Sequence, residues 1–153
     1  MRERVFMSVN RLTLDTNILI YAIDRDAKEK HERAISIIDQ AIHLDCVLTL
    51  QALCEFYSAA TRKKYANHKE IYAFIKEFMV VFPVITSSSK TLSLALKAIE
   101  GNGLSFWDAL LWATAKENGC SLIISEDFQD KFILGGVKIK NPFYSEDLLE
   151  SFF

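Results

Sequence analysis

Short apolar segments of strand length, separated by longer segments of helical spacing, restrict the fold of this sequence more than any other feature. The clearest are residues 11–14 (RLTL), 46–50 (CVLTL) and 121–125 (SLIIS). Apolar runs of this length indicate strands buried on both faces, and helices between them indicate βαβ units with a parallel sheet. The sequence therefore predicts the α/β class, as an α/β/α sandwich around a central parallel sheet of about four or five strands.

Helix signals fill the segments between these strands. Helical spacing and capping residues predict helices over residues 18–23, 28–43, 51–65, 67–82, 88–100 and 105–118. Two weaker strands are predicted over residues 83–86 and 137–140. Asn67 and Glu70 have the spacing of a capping box, and Gly101 is expected to end the helix that begins at Ser88.

The composition is that of a single globular domain over residues 1–153. Hydrophobic residues make up 50% and charged residues 25% of the chain, which excludes disorder as its main state. The three cysteines form no CxxC pair, so we expect neither a disulfide framework nor a zinc site. The sequence begins with no signal-peptide pattern, and its longest apolar run, residues 78–85, is too short to span a membrane. We therefore expect a cytoplasmic protein.

Acidic residues follow the predicted strands. Asp15 comes directly after the first strand, and Asp127 comes just after the strand at 121–125. Glu55 lies one turn into the helix after the second strand, and Asp108 lies at the start of a helix. Ligands of open α/β sheets bind beyond the carboxyl ends of the strands. The pattern therefore predicts that these four acids meet at one edge of the sheet.

Each acid also has a purely structural interpretation. Asp15 is a good helix cap, Asp108 can complete a capping box with Ser105, and Asp127 can begin a turn. Glu55 can pair with Arg62 or Lys63. Taken singly, these interpretations are at least as good as a catalytic one, but a single topology that gathers all four acids favours a shared site.

Electrostatics indicates what such a site would bind. Two carboxylates about 4 Å apart repel by roughly 4 kcal/mol at an effective dielectric constant near 20. Four of them must take up protons or bind a cation. The set contains only oxygen ligands, which favours Mg²⁺ or Mn²⁺ over Zn²⁺. Because such a metal activates water and neutralises charge on phosphate, the site suits phosphodiester hydrolysis.

Four segments that carry these acids resemble the motifs of PIN-domain nucleases, and more narrowly of the VapC-type toxins of prokaryotic toxin–antitoxin pairs. They are residues 14–24 (LDTNILIYAID), 50–63 (LQALCEFYSAATRK), 103–115 (GLSFWDALLWATA) and 122–143, which contains LIISEDFQD and GVKIKNPF. Together they span nearly the whole chain in the expected order. Residues 66–100 carry no motif that can be aligned.

The resemblance implies an Mg²⁺- or Mn²⁺-dependent endoribonuclease that acts on RNA. By position, the family's four acids match Asp15, Glu55, Asp108 and Asp127. Ser125 matches a small hydroxyl residue that orients the metal ligands, and Asn17 matches a polar residue of the same pocket. Asp130 and Glu126 are near enough in sequence to contribute, with a lower rank. The resemblance also implies a homodimer and a cognate antitoxin protein as partner.

Contact with RNA must depend on local groups, because the formal net charge of the chain is −2. Arg62 and Lys63 lie two turns beyond Glu55 and can hold phosphates near the metal. The alternative is a solvated basic helix end that complements the helix dipole. Trp107 and Trp112 flank the Asp108 position; stacking on a base is one interpretation, and we expect burial.

Other functions fit the sequence less well. A haloacid-dehalogenase-type phosphatase needs a second Asp where Asn17 stands, and a receiver domain needs paired acids after its first strand. The sequence contains neither GxxxxGK[ST] nor GxGxxG, so nucleotide-binding folds of those kinds are not indicated. Two alternatives remain open: an inactive PIN-like scaffold that binds RNA or protein, and a PIN nuclease of RNA processing that is not a toxin.

Overall fold

A computed structural model describes residues 10–129 and 132–153 of the chain. Its strands are β1 (Arg11–Leu14), β2 (Asp45–Thr49), β3 (Val84–Ile85), β4 (Cys120–Ile124), β5 (Phe132–Leu134) and β6 (Val137–Lys140). Its α-helices are α1 (Thr16–Tyr21), α2 (Glu29–Ala41), α3 (Leu50–Arg62), α4 (His68–Val81), α5 (Ser89–Asn102) and α6 (Phe106–Glu117). Short 3-10 helices cover Arg25–Ala27, Pro142–Tyr144 and Leu149–Phe152.

The strands form one mostly parallel sheet in the order β3-β2-β1-β4-β6-β5. All neighbouring pairs are parallel except β5 and β6, which are antiparallel. The predicted α/β class is confirmed, and the described residues supply six strands rather than four or five. The additional strand is β5, a three-residue edge strand joined to β6 through Gly135 and Gly136, both at positive φ.

Alternate residues of the central strands face opposite sides of the sheet, and each side carries its own core. Leu122 and Ile124 of β4 pack with α1, α2, α3 and α4, whereas Ile123 packs with α5 and α6 on the other side. The same alternation separates Leu48 from Val47 in β2. The helices on both faces make the predicted sandwich and leave the strand ends open at the sheet edge.

Several element ends differ from those expected. The predicted end at Gly101 is wrong: α5 continues to Asn102, and Gly103 ends it at φ 67° with its N–H bonded to Ile99 O at 3.2 Å. The strand predicted to include Leu50 stops at Thr49. The Thr49 hydroxyl accepts a bond from Ala52 N at 3.0 Å and so begins α3.

Capping patterns predicted where helices begin more accurately than the sequence predicted where α5 ends. Both bonds of the Asn67–Glu70 capping box are present, at 2.9 Å and 3.2 Å. At α6, the Ser105 hydroxyl accepts a bond from Asp108 N at 3.3 Å, and the hydrogen bonds of the described residues include none from Ser105 N to the Asp108 carboxylate. Within the described ranges, no helix has the length and apolar character that crossing a bilayer requires.

Candidate active site

The four predicted acids line one cavity of about 720 Å³ at the carboxyl edge of the sheet. Asp15 follows β1, and Asp127 lies two residues beyond the residue that follows β4. Glu55 projects from the second turn of α3, and Asp108 from the first turn of α6. Residues that are up to 112 positions apart in sequence therefore share one wall, as the βαβ topology predicted.

Asp15 is the most constrained of these acids, because it is only 6% exposed. Its backbone N–H continues the sheet by bonding to Ile124 O at 2.9 Å. One carboxylate oxygen, Oδ1, accepts a bond from Thr16 N at 2.7 Å, and Oδ2 accepts one from the Ser125 hydroxyl at 2.6 Å. Asp15 is thus the cap of α1, as its structural interpretation proposed, and also a wall of the cavity.

The environment of Asp15 disfavours its ionised form. The pKa of Asp15 is raised to about 7, mainly by burial and to a smaller extent by the negative charges of Asp127 and Asp108. Hydrogen bonds from Ser125 and Thr16 act in the opposite direction without cancelling the effect. A cation placed in the cavity would favour the ionised form of Asp15, because its positive charge would offset the charge of the carboxylate.

Ser125 and Asn17 join the ends of β1 and β4. The fully buried Ser125 hydroxyl donates to Asp15 and accepts a bond from Asp127 N at 3.1 Å. Asn17 Nδ2 lies 3.4 Å from the Ser125 hydroxyl, and Asn17 Oδ1 accepts a bond from Glu126 N at 3.4 Å. These two residues therefore occupy positions that orient Asp15 and Asp127 relative to each other.

Glu55 is held by residues that the sequence did not single out. Its Oε1 accepts bonds from the Thr16 hydroxyl at 3.0 Å and from Gln51 Nε2 at 3.4 Å. The ion pairs found in the described part of the chain do not join Glu55 to Arg62 or Lys63. Thr16 stands inside the DTN segment and was detectable there, whereas Gln51 carried no sequence signal.

Asp108 is half-buried and faces the other acids. Burial raises the pKa of Asp108, and the charges of Asp127 and Glu55 raise it further, while a hydrogen bond with Ser105 lowers it. The negative charges of Asp127 and Glu55 therefore act on Asp108 across the cavity. Asp127 is exposed at the cavity mouth.

The structure describes only one of the two acids that the sequence ranked lower, Glu126 and Asp130. The Glu126 carboxylate accepts a bond from the Tyr21 hydroxyl at 2.6 Å and forms an ion pair with Lys30. Its charge is thereby compensated by protein groups that the sequence did not indicate. Asp130 lies outside the described residues, and its role stays a prediction.

A model of the PIN domain matches residues 12–131, which include all four acids. The chain belongs to the PIN domain family. The predicted resemblance is confirmed, and a comparison with curated proteins finds no significant match.

Solved structures of the same fold include proteins of toxin–antitoxin systems. A toxin–antitoxin complex from Klebsiella pneumoniae is 22% identical, with a TM-score of 0.61 over 86% of this chain and 97% of that one. VapC20 of Mycobacterium tuberculosis, described as a toxin that cleaves the sarcin–ricin loop, is 15% identical, with a TM-score of 0.61 over 76% and 89%. FitAcB of Neisseria gonorrhoeae is 17% identical, with a TM-score of 0.61 over 88% and 99%. At these identities the likeness shows the fold.

The donor set of this PIN domain fits a hard divalent cation bound in an open site. Within residues 10–129 and 132–153, no three His, Cys, Asp or Glu side chains lie close enough together to hold a metal ion between them. Mg²⁺ needs no such cluster, because it keeps several waters and is usually bound through one or two carboxylates together with phosphate oxygens. The buried carboxyl of Asp15, with its raised pKa, gains most from such a cation.

Basic and aromatic groups complete the lining of the PIN-domain cavity. Arg62 and Lys63 are exposed at the end of α3 and line the same cavity as the acids. The expected burial is confirmed for Trp112, which is 4% exposed and donates to Leu134 O at 3.0 Å. It is wrong for Trp107, which is 58% exposed, because the first turn of α6 points this side chain away from the sheet and into the cavity wall.

Proposed function

We propose that this PIN domain is a divalent-metal-dependent endoribonuclease that hydrolyses RNA phosphodiester bonds. The observation that carries the proposal is the shared cavity of four carboxylates from separate segments: Asp15, Glu55, Asp108 and Asp127. Holding these charges in one cavity is unfavourable, since the charges of Asp127 and Asp108 raise the pKa of Asp15, and those of Asp127 and Glu55 raise the pKa of Asp108. A divalent cation held by these carboxylates would offset their charge and would supply the positive charge that an RNA phosphate needs.

Each residue of the site has a role in this scheme. Asp15 with one of Asp108, Asp127 and Glu55 would hold Mg²⁺ or Mn²⁺ directly, and the other carboxylates would contact its bound waters. The bound metal would lower the pKa of a water and neutralise charge on the phosphate. Thr16 and Ser125 fix both oxygens of Asp15 through their hydrogen bonds, so the carboxylate needs little reorganisation to accept a cation.

Groups around the carboxylates would position them and the substrate. Ser125 and Asn17 would orient the acids of β1 and β4, with Asp130 as a further candidate. Arg62 and Lys63 would hold RNA phosphates, because they are cations on the wall of an otherwise acidic cavity. None of these residues needs to act as a covalent nucleophile.

We also propose that the protein is the toxin of a toxin–antitoxin pair. Structures of the same fold are described as a toxin–antitoxin complex and as a toxin that cleaves the sarcin–ricin loop. The exposed apolar residues of α4, among them Val80 at 85% and Tyr72 at 53%, support an antitoxin or a second copy of the chain as a partner. A single domain over residues 1–153, a homodimer and a cytoplasmic location belong to this proposal.

Purified protein tests the nuclease proposal directly. We expect cleavage of RNA with Mg²⁺ or Mn²⁺, and loss of cleavage with EDTA. Asp15→Asn and Asp108→Asn should each lower the rate by at least about a hundredfold, because each removes a charge that the metal requires. Asp39→Asn makes the same chemical change on the exposed face of α2 and serves as the matched control.

The alternatives predict different results. Undiminished activity of Asp15→Asn or Asp108→Asn would reject the assignment of these residues. RNA binding without cleavage under any metal condition would favour the inactive scaffold.

A further inference from the structure

An exposed aromatic pair stands beside the carboxylates at the start of α6. Trp107 and Phe106 are 58% and 37% exposed, and their rings meet edge to face with centroids 4.8 Å apart. Trp107 immediately precedes Asp108 in the sequence. Large aromatic surface left in water is unfavourable, and its position next to a catalytic group indicates that a ligand covers it.

Trp107 separates the acid cavity from a second cavity of about 440 Å³. The two cavities share the side chains of Gln51, Glu55, Ser58 and Trp107. The second cavity is otherwise mainly apolar, with Leu50, Cys54, Ile85 and Leu110 in its wall and Thr86 and Ser87 at polar positions. A ligand that fills it must therefore lie directly beside the group that occupies the acid cavity.

Gln51 stands where the two cavities meet and has an unused acceptor. Its Nε2 donates to Glu55 and to Trp107 O, at 3.4 Å and 3.3 Å. Its Oε1 is buried and has no hydrogen-bond partner. A buried acceptor without a partner is unfavourable, and a ligand with an amino or imino donor can satisfy it once the Gln51 side chain turns toward the cavity.

We infer that Trp107 and the second cavity form a nucleobase subsite, which deepens the proposed nuclease function and rests on it. With a phosphate at the carboxylates, the adjoining base reaches an aromatic platform and an apolar cavity with a few polar groups. Bases stack on aromatic side chains in this way only when they are unstacked from their own strand. The subsite therefore accepts a base that has left the stack of its own strand.

Two probes separate base recognition from phosphate attraction. One is an eight-nucleotide single-stranded oligouridylate, and the other is a ribose-phosphate chain of the same length without bases. Dissociation constants are measured with Ca²⁺ in place of Mg²⁺ or Mn²⁺, so that a cation can still hold the phosphate, and gel electrophoresis after each titration verifies that the probe is uncleaved. The variants are Trp107→Ala and Trp107→Phe, with Tyr144→Ala as a control because Tyr144 is also exposed and lies outside both cavities.

We expect Trp107→Ala to weaken binding of the oligouridylate about tenfold or more, because stacking on one base is lost. Trp107→Phe should remain within about threefold of the parent, since a ring is retained. Binding of the chain without bases should not change with either variant. Trp107 fluorescence should be quenched by the oligouridylate, whereas the buried Trp112 that remains in Trp107→Phe should not respond.

Unchanged oligouridylate binding by Trp107→Ala, or equal binding of the two probes by the parent, would overturn the subsite. A change in oligomeric mass on Trp107→Ala with unaltered RNA affinity would also overturn it, by assigning the aromatic pair to a protein contact. The nuclease proposal fails separately. Base-dependent binding without Mn²⁺-dependent cleavage would reject the nuclease and retain the subsite. Cleavage at the same rate by Trp107→Ala and the parent would reject the subsite and retain the nuclease.

Discussion

At the scale of single residues, Asp15 combines two functions that were alternatives in the sequence. Its carboxylate accepts the bond from Thr16 N that caps α1, and the same carboxylate borders the acid cavity. The position that makes Asp a good cap, directly after a strand, is also the carboxyl edge where ligands bind. Capping and metal binding therefore do not exclude each other here.

The raised pKa of Asp15 predicts how stability changes with pH when no metal is present. The folded protein holds this proton up to about pH 7, whereas the unfolded chain releases it near pH 3.8. The proton therefore favours the folded state fully below pH 3.8, and this stabilisation is lost as the pH rises through about 7. The largest possible contribution is about 4 kcal/mol.

Asp15→Asn removes this titration while keeping an oxygen that can cap α1. In EDTA, we expect the variant to gain Tm relative to the parent as the pH rises from 5 to 8, measured by thermal unfolding. Asp39→Asn, which changes an exposed acid, should show no such trend. A Tm difference between Asp15→Asn and the parent that is the same at pH 5 and at pH 8 would contradict the raised pKa of Asp15.

The residues that sequence reasoning missed share one property: their roles depend on where another element lies. Gln51 of α3 bonds to Trp107 O of α6, and Tyr21 of α1 bonds to Glu126 beyond β4. The four acids were predictable because their positions after strands and within motifs can be recognised in the sequence alone. Hydrogen-bond partners cannot be recognised in this way, and Trp107 was placed in the core because hydropathy does not report which side of α6 faces the sheet.

At the scale of elements, the central strands were predictable because burial on both faces demands apolar residues at every position. The edge strand β5 was not predictable. β5 has three residues and makes its pairing with β6 through a Gly135–Gly136 turn, so it has too few positions to show a pattern. The end of α5 was misplaced for a related reason: Gly101 and Gly103 are both terminators by type, and only Gly103 adopts positive φ.

The basic end of α3 gives a prediction at this scale. If Arg62 and Lys63 hold phosphates, replacing both by Ala should weaken RNA binding and reduce the slope of log K against log salt by about one per lost contact. The slope is measured from dissociation constants at several salt concentrations.

Lys69→Ala with Lys90→Ala makes the same change in net charge on α4 and α5 and provides the control. Both of these lysines are exposed, and neither lines the acid cavity. An equal loss in the two double variants would assign the effect to general charge. An unchanged slope in Arg62→Ala with Lys63→Ala would leave that end of α3 as a solvated helix terminus.

At the scale of the whole molecule, two surfaces remain to be covered. The acid cavity needs a cation and a phosphate, and the outer face of α4 exposes Val80, Tyr72 and Met79 at 85%, 53% and 47%. The two surfaces share no lining residue, so a partner on α4 leaves the four carboxylates accessible unless it also extends over them. The net charge of −2 supplies no overall attraction for RNA, so a partner that covers the cavity removes the local attraction that Arg62, Lys63 and a bound cation would provide.

This arrangement predicts the behaviour of the protein in cells. Expression without a partner should arrest growth of a prokaryotic host, because free protein has an open acid cavity, and co-expression of a small protein encoded beside its gene should restore growth. The readout is colony formation after induction. Asp108→Asn should abolish the arrest, whereas Asp39→Asn should keep it. If the purified protein cleaves RNA but its expression is harmless, the toxin assignment fails and RNA processing becomes the function of this PIN domain.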